Sequence, residues 1–260
     1  MKLPDFPWDE LTPFAERAKQ HPGGLIDLSV GTPVDSTPDF IQEALKSAAN
    51  SPKYPLTAGT PELRAAIKDW AIRELGASGE FGVLPLIGSK ELVAWLPTLL
   101  QSKTLLYPEI AYPTYLVGGL IAQINVRAVG FDAATWPNAE LAWINSPSNP
   151  TGRISSDHEL IGAINWARNN GVVVSDECYL EFGSASKPKS ILAFSGGDNR
   201  NLLALHSLSK RSSMAGYRAA MLIGDPELIA RILEVRKHAG MMVPLPVQQA
   251  MIAALSDNKH

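Results

Sequence analysis

The sequence predicts an α/β domain with a mostly parallel central sheet flanked by helices. Three features predict it. Short apolar runs recur without the in–out alternation of a half-solvated sheet, amphipathic stretches separate them, and five of the six runs are followed directly by a polar cluster. A sheet covered by helices on both faces needs runs of that kind, and open α/β sheets bind ligands at the carboxyl ends of their strands.

In chain order, residues 1–30 are proline-rich and irregular and read as an amino-terminal arm, leaving 31–260 as one large domain. The stretch from Asp39 to Asn50 gathers Ile41, Ala44, Leu45 and Ala48 on one helical face. Thr60-Pro61-Glu62 pairs a capping hydroxyl with a proline at the first helical position, and Leu63, Ile67 and Trp70 follow on one side. A first strand is expected at Val83–Leu86, leading through Gly88-Ser89-Lys90 into a helix from Glu91 to Leu100. Further strands are expected at Thr104–Tyr107, Ala142–Asn145, Val172–Ser175, Leu202–His206 and Ala219–Ile223. Asp225-Pro226-Glu227 then repeats the Thr60 device before Leu228, Ile229, Ile232 and Leu233.

Composition narrows the function. The 260 residues carry 23 basic and 26 acidic side chains, a net charge of −3, so no basic excess exists to neutralise a nucleic-acid backbone. A single cysteine, Cys178, allows no internal disulfide and fits a reducing compartment. The opening MKLPDFPWDELTPF lacks the apolar run of a signal peptide, and no stretch has the length of a membrane span. The expectation is a soluble, cytoplasmic protein with neither membrane nor nucleic acid as partner. Its five histidines are never at metal-ligand spacing, so no metal site is expected.

The chemistry gathers in the five clusters. Gly88-Ser89-Lys90 opens a helix, where free backbone N–H groups, a close-approach glycine and a hydroxyl make a phosphate cup; an ordinary helix cap reads the same. Asp176 follows VVVS at the tip of a buried strand, and a carboxylate there needs a cationic or donor partner. A protonated pyridine nitrogen would be one; a second helix cap is the alternative. Asn149 in NSPSNPTG and Tyr179 after Asp176 are placed to donate to a phenolate oxygen, although a plain turn and a core aromatic look alike at this level. Tyr112 is suited to stacking on an aromatic ring. Lys210, after a buried strand and Ser207-Leu208-Ser209, is the sharpest candidate, because a Schiff-base lysine must lose its proton. Arg211 and Arg218 are the cations in sequence reach that would help it do so, together with partial burial. His206 and Cys178 are assigned to packing.

With these residues assembled, the chain resembles the fold-type I pyridoxal-phosphate aminotransferases, and among them the actinobacterial succinyldiaminopimelate aminotransferases. The likeness runs through LPDFPWDEL, IDLSVGTPVD, KYPLTAGTPELRAAI, GSKE, YPEIAYPTY, NSPSNPTG, SDECY and SLSKRSSMAGYR. It implies pyridoxal 5'-phosphate as cofactor and amino acids and 2-oxo acids as substrates. In particular it implies transfer from glutamate to N-succinyl-2-amino-6-oxopimelate in lysine biosynthesis. Lys210 would carry the covalent bond to the cofactor and then move the substrate proton. Asp176 would pair with the ring nitrogen, Asn149 and Tyr179 with the ring oxygen, and Tyr112 would stack on the ring. Ser89, Lys90, Ser207, Ser209 and Arg218 would hold the phosphate, with Tyr54 reaching the neighbouring subunit's phosphate in a homodimer. Gly31 would lie near the substrate carboxylate. The resemblance also implies a small carboxy-terminal domain carrying the arginine for that carboxylate, and the sequence stops at His260 before it. Three other readings stay open: a different aminotransferase or a carbon–sulfur lyase with this site, a cofactor-binding regulatory module, and a non-catalytic fragment.

Overall fold

The computed structural model describes residues 3–183 and 187–260. Its helices are α1 (Thr12–Lys19), α2 (Asp39–Ser47), α3 (Pro61–Leu75), α4 (Ser89–Leu99), α5 (Thr114–Ala122), α6 (Asp157–Asn169), α7 (Leu208–Arg211), α8 (Pro226–Ala239) and α9 (Leu245–Ser256). The strands are β1 (Gly82–Leu86), β2 (Thr104–Pro108), β3 (Asn125–Val129), β4 (Leu141–Asn145), β5 (Val172–Asp176), β6 (Leu202–Ser207) and β7 (Ala220–Gly224). They form one sheet in the order β1-β7-β6-β5-β4-β2-β3, with β7 antiparallel to both neighbours and the others parallel to one another.

That arrangement explains the missing alternation. Val173, Leu202 and Ala204 enter one apolar core, with Ile67 and Trp70 of α3. Val172, Val174, Leu203 and Leu205 enter a second, with Leu92 and Leu96 of α4 and Ile232 of α8. Each central strand alternates between two buried faces, so both sets must be apolar. The caps hold as expected: the Thr60 hydroxyl accepts from the Leu63 N–H at 3.2 Å, and Asp225 accepts from Glu227 and Leu228 at 2.8 and 3.3 Å. Each such cap stabilises by about 1 kcal/mol.

The structure differs from the expectation in four places. The arm is not irregular throughout, since Thr12–Lys19 forms a helix, although none of its residues is buried. α2 ends at Ser47 rather than Asn50. α4 starts at Ser89, which makes Gly88 the residue before the helix. Asn125–Val129 adds an edge strand that polar Asn125 and Arg127 hid. Among the described residues no helix is long and apolar enough to cross a membrane.

Candidate active site

Because every strand except β7 points the same way, β1, β2, β4, β5 and β6 deliver their carboxyl-terminal residues to one edge. A cavity of about 640 Å³ opens there, within the usual range for a small-molecule site. Every site residue named from the sequence except Tyr54 lines it; Tyr54 is 94% exposed.

At the end of β1, Gly88 adopts φ +105°, and a Cβ built on it would sit 2.1 Å from an Arg218 guanidinium nitrogen. Only glycine allows the guanidinium to lie this close to the start of α4, beside Ser89. Arg218 is itself left-handed (φ 57°) and donates to the Ala215 carbonyl at 2.8 Å. At the end of β6, the Ser207 hydroxyl caps α7 through the Ser209 N–H at 3.1 Å and lies 2.8 Å from the Ser209 hydroxyl. Two hydroxyls, a guanidinium and a helix start on one cavity wall form a donor-rich cradle suited to a phosphate.

Asp176 ends β5 with only 7% of its surface exposed. Its carboxylate accepts the Tyr115 hydroxyl at 2.8 Å and the Cys178 N–H at 3.2 Å. Burial pushes its pKa up against the opposing pull of those donors. The capping reading holds, since one oxygen caps the following turn, and the carboxylate also lines the cavity. Asn145, the last residue of β4, donates to the Asp176 carbonyl at 2.9 Å and accepts the Asn149 N–H at 2.7 Å. It stitches the Asn149 loop to the tip of β5.

Lys210 sits half-buried on α7, with its amine donating to the Gly31 carbonyl, just past the arm. Its pKa is lowered, and burial is the cause. The expected help from Arg211 is absent: Arg211 turns to Glu181 at 2.7 Å and to the Ala254 carbonyl at 3.0 Å. The Lys90 ammonium lies over the rings of Phe6 and Trp8, 4.8 and 5.8 Å from their centroids, so its side chain braces the arm. That leaves its backbone N–H for the cradle. His206 has the partner that the sequence did not reveal, with Nε2 2.9 Å from a Glu177 carboxylate oxygen and its ring edge-on to Trp70. This pair is buried beneath the site and stays structural.

Sequence reasoning missed Tyr115 and Asn145. Both stand inside quoted motifs, but their partner Asp176 is 61 and 31 residues away. The arm residues Phe6 and Trp8, which also line the cavity, had no signal beyond the opening segment.

The residues fit pyridoxal phosphate on structural grounds alone. A buried carboxylate whose hydrogen-bond partners among the described residues are neutral, an amine with lowered pKa and a donor-rich cradle all face one cavity. A ring with a protonated nitrogen, an aldehyde and a phosphate matches those three demands.

Residues 24–260 match the family described as aminotransferase class I and II, and the chain belongs to that family of pyridoxal-phosphate enzymes. It is 49% identical over 268 residues to a 4-dedimethylamino-4-oxo-anhydrotetracycline transaminase, OxyQ, of Streptomyces rimosus, covering 100% of this chain and 74% of that one. It is 51% identical over 269 residues to a probable aminotransferase of Mycobacterium tuberculosis, covering 99% of this chain and 64% of the relative. Among solved structures, a probable N-succinyldiaminopimelate aminotransferase of Thermus thermophilus superposes with a TM-score of 0.88 at 27% identity, over 97% of this chain and 73% of that one. The chain thus spans about two thirds to three quarters of the length of these proteins.

Proposed function

We propose that this chain carries the cofactor site of a pyridoxal-phosphate aminotransferase, with Lys210 as the covalent attachment residue. The observation that carries the reading is the half-buried Lys210 amine with its lowered pKa, on the same cavity as the buried Asp176 carboxylate. Bound there, pyridoxal phosphate would supply the electron-accepting ring through which an amino group passes between an amino acid and a 2-oxo acid. Asp176 would face the ring nitrogen and keep its proton in place, while Asn149 and Tyr179 donate to the ring oxygen. Tyr112 would cover one face. Ser89, Ser207, Ser209 and Arg218, with the Lys90 N–H, would hold the phosphate. The Lys210 amine, deprotonated more readily for its burial, is the base that would take the proton from the substrate Cα and return it. Gly31 would lie near the substrate carboxylate, and Tyr54 would serve the second subunit of a homodimer.

For substrates we propose glutamate as donor and N-succinyl-2-amino-6-oxopimelate as acceptor. The likeness to the Thermus thermophilus protein supports this acceptor. The Streptomyces rimosus relative, a 4-dedimethylamino-4-oxo-anhydrotetracycline transaminase, supports a second acceptor, the 4-oxo group of an anhydrotetracycline.

Reduction of the cofactor-loaded protein with borohydride, followed by peptide mapping, tests the site. The label should fall on Lys210, and a label on Lys90 would overturn the assignment. A panel of both acceptor classes then reads the substrate, with the faster half-reaction naming it.

A further inference from the structure

Lys210 stands on a helix of four residues, whose closing hydrogen bond runs from the Ser212 N–H to the Leu208 carbonyl at 3.1 Å. A single turn does not sustain itself in water, so contacts outside it must fix the lysine's position. Ser207 caps the front, and the Thr37 hydroxyl donates to the Ser213 carbonyl behind it at 2.7 Å. Further contacts come from the end of α9. Nε2 of His260 lies 2.9 Å from the Ser212 hydroxyl, and Nδ1 lies 2.8 Å from an Asp257 carboxylate oxygen. That oxygen also accepts the His260 N–H at 2.8 Å. Arg211, next to Lys210, approaches the same Nε2 at 3.3 Å and donates to the Ala254 and Asp257 carbonyls at 3.0 and 3.3 Å. The edge of the imidazole meets the Phe40 ring of α2, with centroids 5.4 Å apart.

These contacts assign the tautomer. Nδ1 faces a carboxylate and carries the hydrogen, whereas Nε2 faces donors from Arg211 and Ser212 and carries the lone pair. Serine, histidine and aspartate in this order are the groups of a nucleophilic triad. Here, however, Ser212 is 1% exposed and does not line the Lys210 cavity, which leaves the arrangement a mechanical one.

We propose that His260 and Asp257 are positioning residues for Lys210, clamping the back of its one-turn helix so that the amine stays half-buried at the cavity. The inference rests on Lys210 being the cofactor-bearing residue. The hydrogen bond from His260 also holds the Asp257 carboxyl down to about 2, so the carboxylate end of the clamp stays charged at neutral pH.

The test uses the whole chain, without cofactor for the titration and with it only for the rate of capture. Competitive acetylation read by mass spectrometry gives the titration of the Lys210 amine in wild type, His260→Ala, His260→Gln and a destabilised control, Ile232→Ala, in the core on the other face of the sheet. His260→Ala should move the Lys210 titration up toward an ordinary lysine and slow cofactor capture by about tenfold. His260→Gln, which can donate and accept in the same places, should restore most of both. Ile232→Ala should lower Tm and leave the Lys210 titration where it was. Should His260→Ala fail to fold, Asp257→Asn keeps the size of the clamp and should shift the titration in the same direction. A Lys210 titration unchanged in the clamp variants, or shifted equally by Ile232→Ala, would overturn the proposal. Because this readout needs no cofactor, it separates failure of the clamp from failure of the cofactor assignment, which the borohydride mapping reports.

Discussion

The Tyr115 hydroxyl donates to the Asp176 carboxylate at 2.8 Å and so ties α5 to the tip of β5 across the buried middle of the sheet edge. Burial holds the phenol's own pKa well above its usual value, so it remains a donor over the working pH range. Tyr115→Phe should leave one carboxylate oxygen without its donor, at a cost of about 1–3 kcal/mol. Thermal melts with and without pyridoxal phosphate, and a spectrophotometric cofactor titration, read the two effects. A variant that matches wild type in both would show the bond to be idle.

Asp176 itself should oppose folding of the cofactor-free protein at neutral pH. Its folded pKa is raised by burial, so between the ordinary carboxylate range and that raised value the folded state binds more protons than the unfolded chain. Stability from this group is therefore greatest at low pH and falls as pH rises through that window. Asp176→Asn should melt higher than wild type at about pH 7, by roughly 2–4 °C for each kcal/mol of strain removed. The same change should weaken cofactor binding by about 1.5–3 kcal/mol through loss of a charge-assisted bond. A lower melting point together with undiminished affinity would reduce Asp176 to a helix cap.

Gly88→Ala should act on the phosphate cradle. Its Cβ would meet an Arg218 guanidinium nitrogen at 2.1 Å, from a backbone at φ +105°. With Arg218 displaced, pyridoxal-phosphate affinity should fall by about 10- to 100-fold, while pyridoxal, lacking the phosphate, should lose little. Gly162→Ala serves as the contrast. That glycine lies within α6 and the new methyl has its nearest neighbour at 3.8 Å, so the variant should gain about 0.5–1 kcal/mol of stability with the site unchanged. Equal losses for pyridoxal and its phosphate in Gly88→Ala would point to general damage at β1 instead.

Tyr54 should act in the second subunit. It is 94% exposed and lies outside the cavity of its own chain. Mixing Tyr54→Phe with Lys210→Ala should then create hybrid dimers in which one site has both residues intact and the other has neither. Random pairing would restore about one quarter of the sites to tight binding. If mixing restores none, Tyr54 does not cross a dimer interface.

Much of this was legible in the sequence because strand tips and helix starts carry local signatures. Gly88-Ser89-Lys90, Asp176 and Lys210 each follow an apolar run directly, so their placement on one edge followed from strand direction. What escaped depends on contacts between distant segments. Asn125–Val129 has the alternating polarity of an exposed edge, which the search for wholly buried strands passes over. The lowered pKa of Lys210 was expected from nearby cations and partial burial together; burial is borne out as its cause, and the cations are not. Sequence proximity put Arg211 near the amine, whereas its side chain is drawn away by Glu181 and the end of α9.

Groups assigned to the chemistry, such as Asp176 and Lys210, stand on or directly after strands wedged between two cores, whereas Phe6 and Trp8 approach the same cavity from an arm that buries none of its helix. The groups proposed for the chemistry and these two aromatic rings thus come from different parts of the chain, joined where Lys90 lies over Phe6 and Trp8. A library randomised at positions 6 and 8 would alter what the cavity admits while leaving the reacting groups in register. A change in what the cavity admits through these two positions would then need no rebuilding of the sheet.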